Sequence, residues 1–446
     1  MDMKQNKGVR LSAIPNFCAH EHWGSIDSIG SVDEGFRADV ECGALPARET
    51  DLSDLLLDPY FRGCLAGSGE HPDAMARQAG AHDFRAWAAR SRDDAFARLW
   101  AAIDRQRLVG VFQSIRNGVL ALYNTDLADG PPPEQLDAAI AENYRRPFQW
   151  YRDVMAKAHF THLIRPIHPE FYFREETPES AREERAFTMT LMRIDPLMEL
   201  WPAECPRRRN LAAQVGVEPV DAPSWRAFIA AVFDLAAQHG VLGIKQLQAY
   251  SRTLEFLPRD DREVTFSGDL SPEQVRVFQD WVAHACCREA HAREWPHQIH
   301  VGTHNMPNSN PLPLAALAVK YPGMKIVMLH CWPYLAEAAH LAMAFPNVYI
   351  DTCWQVILNP EFYREALRMW LNYVPLHKIM CSHDATSIEM AVGASIQTRE
   401  LLAEALENQA GVCGPHTKLE RVALALLYNN AAGLYRRGEP LIPSCI

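Results

Sequence analysis

The sequence predicts a (β/α)8 TIM-type barrel with a long helical insertion between strands one and two. Three observations carry that prediction. Short apolar runs alternate with amphipathic stretches of helix length, the pattern of parallel strands covered by helices on both faces. Five of those runs deliver a metal-ligand type of side chain at or near their C-terminal end, and a closed parallel barrel gathers all such ends around one mouth. No Gly-rich phosphate loop follows an early strand, which argues against an open doubly wound sheet.

Strand one is the apolar run in IPNFCAHEHWG, which closes on His20 and His22. Side chains at i and i+2 of a strand share a face, so both imidazoles can converge on one divalent ion. Glu21, between them, is expected on the opposite face and is not taken as a ligand. Neutral imidazole suits zinc and its first-row neighbours, and two ligands on one stiff strand lose little conformational freedom on coordination.

Residues 25–157 form the insertion. They include loop-like polar sequence and two helical stretches, DDAFARLWAAIDRQRLVGVFQSIRNGVLALY and PEQLDAAIAENYRRPFQWYRDVMAKA, separated by the breaker DGPPP. An insertion after strand one emerges at the barrel mouth, where it forms a lid or pocket wall, or else a helical cap or oligomer interface. HFTHLIRPI and AFTMTLMRI are strands two and three. VLGIKQL, ending near Lys245, is strand four, after the helix SWRAFIAAVFDLAAQHG. HQIHVG with His300 is strand five, after the helix EQVRVFQDWVAHACC. KIVMLHCW with His330, NVYIDTCW, and KIMCSHDA with Asp384 are strands six, seven and eight.

Composition agrees with one large core. The 446 residues, 48% of them hydrophobic, are accounted for as a single elaborated barrel over 1–446. A formal charge of -11 argues against a nucleic-acid surface. No run reads as a transmembrane helix or a signal peptide, so the expected location is cytoplasmic and no membrane partner is expected. The 11 cysteines lack regular spacing and read as small buried thiols, Cys18, Cys331, Cys353 and Cys381 among them.

The ordered set H-x-H, Lys, His, His, Asp at the ends of strands one, four, five, six and eight resembles the metal-dependent amidohydrolase superfamily. Within it the chain resembles the amidohydrolase-2 group of hydrolases and non-oxidative decarboxylases. GIKQLQAYSRTLEF, LHCWPYLAEAAHLAMAFPNVYIDTCW and NNAAGLY support the resemblance, which covers residues 10–24 and most of 158–436. Ser382 and His383, before Asp384, depart from the small residues usual there.

The resemblance implies a metal shell drawn from His20, His22, Lys245, His300, His330 and Asp384. It implies one or two divalent ions, zinc first, with manganese or iron as alternatives. Asp384 would bind the ion, accept a proton from the attacking water and pass it to the leaving group. His330 would stabilise developing negative charge or ligate a second ion. Lys245 would bridge two ions as a carbamate, or pair with a substrate carboxylate or an acidic neighbour. The expected activity is hydrolysis of an amide, ester or lactone bond in a small polar or carboxylate-bearing substrate. Non-oxidative decarboxylation and a uronate-isomerase-like proton transfer are the alternatives, and a non-catalytic barrel is disfavoured because every ligand position is filled.

Substrate contacts are expected from Tyr250 and Arg252 after strand four, and from His304 and Trp332 near the mouth. An arginine fork pairs bidentately with a carboxylate, and a phenol adds a directional hydrogen bond. The competing expectation for Arg252 is a tie to an acidic neighbour. Trp332 and Trp354 either line an apolar pocket or pack in the core.

Overall fold

A computed structural model of the chain describes residues 11–23, 51–169, 186–413, 416–436 and 441–442. At its centre is one eight-stranded sheet in chain order. The strands are β1 (Asn16–Cys18), β2 (Phe160–Ile167), β3 (Thr188–Arg193), β4 (Ile244–Gln246), β5 (Pro296–Val301), β6 (Lys325–His330), β7 (Val348–Asp351) and β8 (Ile379–Met380). Every neighbouring pair is parallel. Just past β1 and β8 the two ends of the sheet meet: Asp384 donates its N–H to the His20 carbonyl at 3.0 Å, and His22 donates to the Ala385 carbonyl at 2.9 Å. These bonds join the first and last strands at the mouth, in keeping with the expected (β/α)8 barrel.

Strand alternation sorts the apolar residues into two layers. Phe17, Ile164, Leu191, Val327, Leu329 and Met380 form the inner cluster. Their chain neighbours Cys18, Leu163, Met192, Ile326, Met328 and Ile379 pack with the helices. Tyr428 and Tyr435 join the inner cluster from the C-terminal helical segment, which Asn430 anchors by donating to the Leu376 and Ile379 carbonyls, each at 2.7 Å.

The helices before β4 and β5 start where capping chemistry places them. Ala222–Gln238 opens on Asp221, whose side chain accepts from the Ser224 N–H, and Pro272–Ala292 opens on Ser271, which does the same for Gln274. Between β1 and β2 the described residues 51–158 fold into helices and turns, and each of the two expected long helices is divided. The first becomes Arg92–Asp104 and Gly110–Tyr123; the second becomes Glu134–Tyr144 and Pro147–Ala158. Pro147 lacks an N–H and fits a helix's first turn, so it starts a new helix rather than continuing the old one. At the other break, a Cβ on Gly110 would sit 2.5 Å from the Ile357 carbonyl oxygen, so this helix starts against backbone that only glycine admits.

The Gly110–Tyr123 helix crosses Ile388–Glu407, the helix after β8, in direct backbone contact. A Cβ on Gly118 would lie 1.8 Å from the Glu389 carbonyl oxygen, and one on Gly393 would lie 1.8 Å from that of Ser114. Beside the crossing, buried Glu389 accepts hydrogen bonds from the Tyr123 hydroxyl (2.8 Å), the Tyr144 hydroxyl (2.7 Å) and the Trp150 indole (3.3 Å). The helices between β1 and β2 are thereby fixed to the helix that follows Asp384. Among the described residues no helix is long and apolar enough to cross a membrane. Cys18, Cys331, Cys353 and Cys381 are buried free thiols.

Candidate metal centre

His20 and His22 stand just beyond β1 with ring centroids 5.0 Å apart. Asp384, just beyond β8, turns Oδ1 toward both, 3.7 Å from His20 Nε2 and 3.3 Å from His22 Nε2. Its Oδ2 lies 3.6 Å from His330 Nδ1. The His300 ring sits 4.6 Å from that of His330. Lys245 is fully buried, and its ammonium, like His330, acts electrostatically on His20 and His22.

Hydrogen bonding fixes the tautomer of His20. Gln298 Nε2 donates to the Ala19 carbonyl at 2.6 Å and to the Tyr435 hydroxyl at 2.9 Å, which uses both of its hydrogens. Gln298 Oε1, 2.7 Å from His20 Nδ1, must therefore accept. His20 then carries its proton on Nδ1 and turns the Nε2 lone pair toward Asp384 Oδ1, a contact that a cation between them, or a proton on Asp384, satisfies. The separation of 3.3 Å falls within the ligand-to-ligand spacing, about 3.3–3.6 Å, around a tetrahedral ion with bonds near 2.0–2.2 Å, and that of 3.7 Å lies just beyond it. His22 Nδ1 and Lys245 Nζ are buried without a hydrogen-bond partner among the described residues. The donor set fits a divalent metal. His330 Nδ1 is 2.9 Å from the Cys353 carbonyl, so its proton sits there and Nε2 keeps a lone pair.

Burial sets the charges. It holds the His20, His22, His300 and His330 imidazoles well below the usual histidine range, with neighbouring cations adding to the effect, so all four are neutral, the form that binds metal. Burial also lowers Lys245 to about 8, against the pull of Asp384. The Asp384 carboxyl is pushed well above the carboxylate range by burial, which Lys245 opposes. Thr303, His330, Trp354 and Asp384 all take left-handed backbone, with φ of 62°, 64°, 67° and 63°. Such conformations cost of order 1–3 kcal/mol each and persist where the surroundings over-determine them.

The expected substrate contacts divide. Tyr250 places its ring 4.6 Å from His300 and 5.2 Å from His304, and His304 stacks on Trp354 at 5.0 Å. Trp332 turns instead to Phe362, stacking at 3.8 Å, and it is Trp354 that lies 5.3 Å from His330. Arg252 corrects the expectation of a substrate fork. It donates to Asp280 at 2.6 Å and to the Glu255 carbonyl at 2.7 Å, and its guanidinium lies over the Phe256 ring. Asp280 is fully buried on the Pro272–Ala292 helix, and an uncompensated carboxylate there would be costly, so it engages both Arg252 and Arg259.

Sequence reasoning missed Tyr60. It lies on the Pro59–Gly67 helix between β1 and β2, and its hydroxyl donates to Asp384 Oδ1 at 3.1 Å. Asp58, the cap of that helix, accepts from the Thr386 hydroxyl, which ties the helix start to the loop after β8. The D-P pair at 58–59 signals a helix start, but nothing local signals where the phenol points. Gln298 was legible in principle, because it stands two residues before His300 and shares its face.

Residues 171–437, more than half of the chain, match the amidohydrolase family. The chain belongs to that family. Protein fluG of Emericella nidulans is 28% identical over a 240-residue alignment that covers 48% of this chain and 28% of that protein, so the chain spans only part of its curated relative. Among solved structures, glucuronate isomerase from Caulobacter crescentus aligns with 97% of this chain and 94% of its own, at TM-score 0.70 and 16% identity. A proposed metal-dependent hydrolase from Lactobacillus casei aligns over 96% of both chains at TM-score 0.58 and 17% identity. At these identities the structural likeness speaks to the fold.

Proposed function

We propose that this member of the amidohydrolase family is a metal-dependent hydrolase that cleaves an amide, ester or lactone bond in a small polar or carboxylate-bearing substrate. The convergence of His20 Nε2 and His22 Nε2 on Asp384 Oδ1 carries this reading. These three residues would hold a divalent ion, zinc first and manganese or iron next, because a mixed imidazole and carboxylate shell accepts all three. When bound, the ion supplies Lewis acidity and an activated water at neutral pH.

The remaining work falls to the chain. Tyr60 donates to Oδ1 of Asp384, which leaves Oδ2, on the His330 side, to carry a proton. A carboxylate switches between proton acceptor and donor, so Asp384 would take the proton from water and return it to the leaving group. His330, protonated at Nδ1, offers Nε2 as a ligand or proton acceptor, which suits it less to donating toward a developing oxyanion. Lys245, lowered to about 8 by burial, would meet a substrate carboxylate or, as a carbamate, a second ion. Tyr250, His304 and Trp354 would form a wall of the substrate pocket beside His300.

A uronate-isomerase-like proton transfer is the second reading, supported by the whole-chain likeness in fold to glucuronate isomerase and by a carboxyl able to carry a proton. Product analysis separates the readings: hydrolytic cleavage supports the first, an isomeric sugar the second, and CO₂ release would point to decarboxylation. Asp384→Asn keeps size but cannot carry the proton, so turnover should fall at least about 10²-fold with the fold intact. Near-normal turnover in a folded, metal-loaded variant would remove Asp384 from the mechanism.

A further inference from the structure

Glu21 faces away from His20 and His22 and is fully buried, yet its carboxylate spans the residues on both sides of Asp384. Its Oε1 is 3.1 Å from His383 Nδ1, and its Oε2 accepts the Ala385 N–H at 2.9 Å. Both His383 and Ala385 are fully buried. Backbone bonds run alongside: Asp384 N–H to the His20 carbonyl, His22 N–H to the Ala385 carbonyl, and Glu21 N–H to the Ile164 carbonyl of β2. The Trp354 N–H donates to the His383 carbonyl at 2.8 Å.

Asp384, at the centre of this clasp, has φ 63°. A non-glycine residue in that region is strained and stays there only when its neighbours hold it. The sheet cannot do this alone, because β1 ends at Cys18 and β8 at Met380, before any of these residues.

We infer that Glu21 is a positioning residue for the metal centre. By bonding His383 and Ala385 it holds Asp384 in the left-handed turn that aims its carboxylate at His20 and His22. The inference rests on the reading of His20, His22 and Asp384 as metal ligands. Glu21 touches no reacting atom in this account; it acts through the backbone of Asp384, and its loss should register in how tightly the site holds metal. Glu21→Gln keeps the shape but replaces one acceptor with a donor. Both bonds then survive only if the amide oxygen keeps the Ala385 N–H and His383 moves its proton from Nδ1 to the buried Nε2, which has no hydrogen-bond partner among the described residues.

The test measures the zinc dissociation constant of the full chain against a competing chelator. Wild type, Glu21→Gln, Asp384→Asn and the double variant are compared, with the thermal midpoint of each metal-free protein alongside. Glu21→Gln should bind zinc roughly 10- to 100-fold more weakly, the range for lost residues that orient ligands. The double variant should be little weaker than Asp384→Asn alone, because Glu21 works through Asp384. Wild-type affinity in Glu21→Gln, or losses that simply add, would overturn the inference while leaving the metal centre standing. A wild type that binds no zinc, manganese or iron would overturn the metal reading and this inference with it. If Glu21→Gln does not fold, His383→Asn, which leaves the Ala385 bond, gives the same readout, with a weakened zinc site expected and an unchanged one contradicting.

Discussion

Asp384 meets different partners with its two oxygens: Oδ1 takes the Tyr60 hydroxyl and faces His20 and His22, and Oδ2 faces His330. Tyr60→Phe removes the hydroxyl and leaves the ring on Trp354, 4.7 Å away. The variant should keep its metal but lose about tenfold or more in kcat/KM, in line with roughly 1.5–3 kcal/mol for a hydrogen bond to a charged group. Unchanged kcat/KM in the metal-loaded variant would take Tyr60 out of the chemistry. Strand ends explain what could be read here in advance. His20, His22, Lys245, His300, His330 and Asp384 occur at or near the ends of apolar runs, and parallel topology alone brings such ends to one place. Tyr60 and Arg252 had no such guide. Tyr60 finds its partner 324 positions along the chain, and Arg252 finds Asp280 28 positions on, on a helix whose buried face period alone does not resolve.

Among the elements, the crossing of Gly110–Tyr123 with Ile388–Glu407 is the contact most sensitive to a single atom. Gly118→Ala drives a Cβ into the backbone of Glu389, and neither helix can yield without moving the other. Overpacking of this kind should lower unfolding free energy by about 3 kcal/mol, measured by denaturant titration. Gly63→Ala, on a helix where a Cβ meets nothing within 4 Å, is the control and should be close to neutral or stabilising. Equal stabilities of the two variants would contradict the backbone contact. The eight strands were legible because each is a short apolar run bounded by helix-period sequence. The division of the two long helices was less so: Pro147 gives a local reason for one break, whereas the break before Gly110 depends on the Ile357 carbonyl, which no local pattern reveals.

Acid stability belongs to the molecule as a whole, and His297 isolates one part of it. Its ring is buried, neither nitrogen has a hydrogen-bond partner among the described residues, and burial lowers it to about 3. Between that value and the ordinary 6.5 the unfolded chain binds a proton that the folded chain refuses, so stability falls as pH drops through this window. His297→Leu should be no less stable than wild type at pH 7, and its stability should fall less steeply below pH 6.5. Parallel pH profiles from denaturant titrations would contradict this. At the same scale stands the central claim, that strand ends far apart in sequence assemble a metal site. Elemental analysis of protein purified without chelator tests it most directly. The account predicts at least about one divalent ion per wild-type chain and its loss in folded His20→Ala, since each imidazole is a substantial part of a four-ligand shell. A folded wild type with no stoichiometric metal, and no gain of activity on adding zinc, manganese or iron, would contradict it.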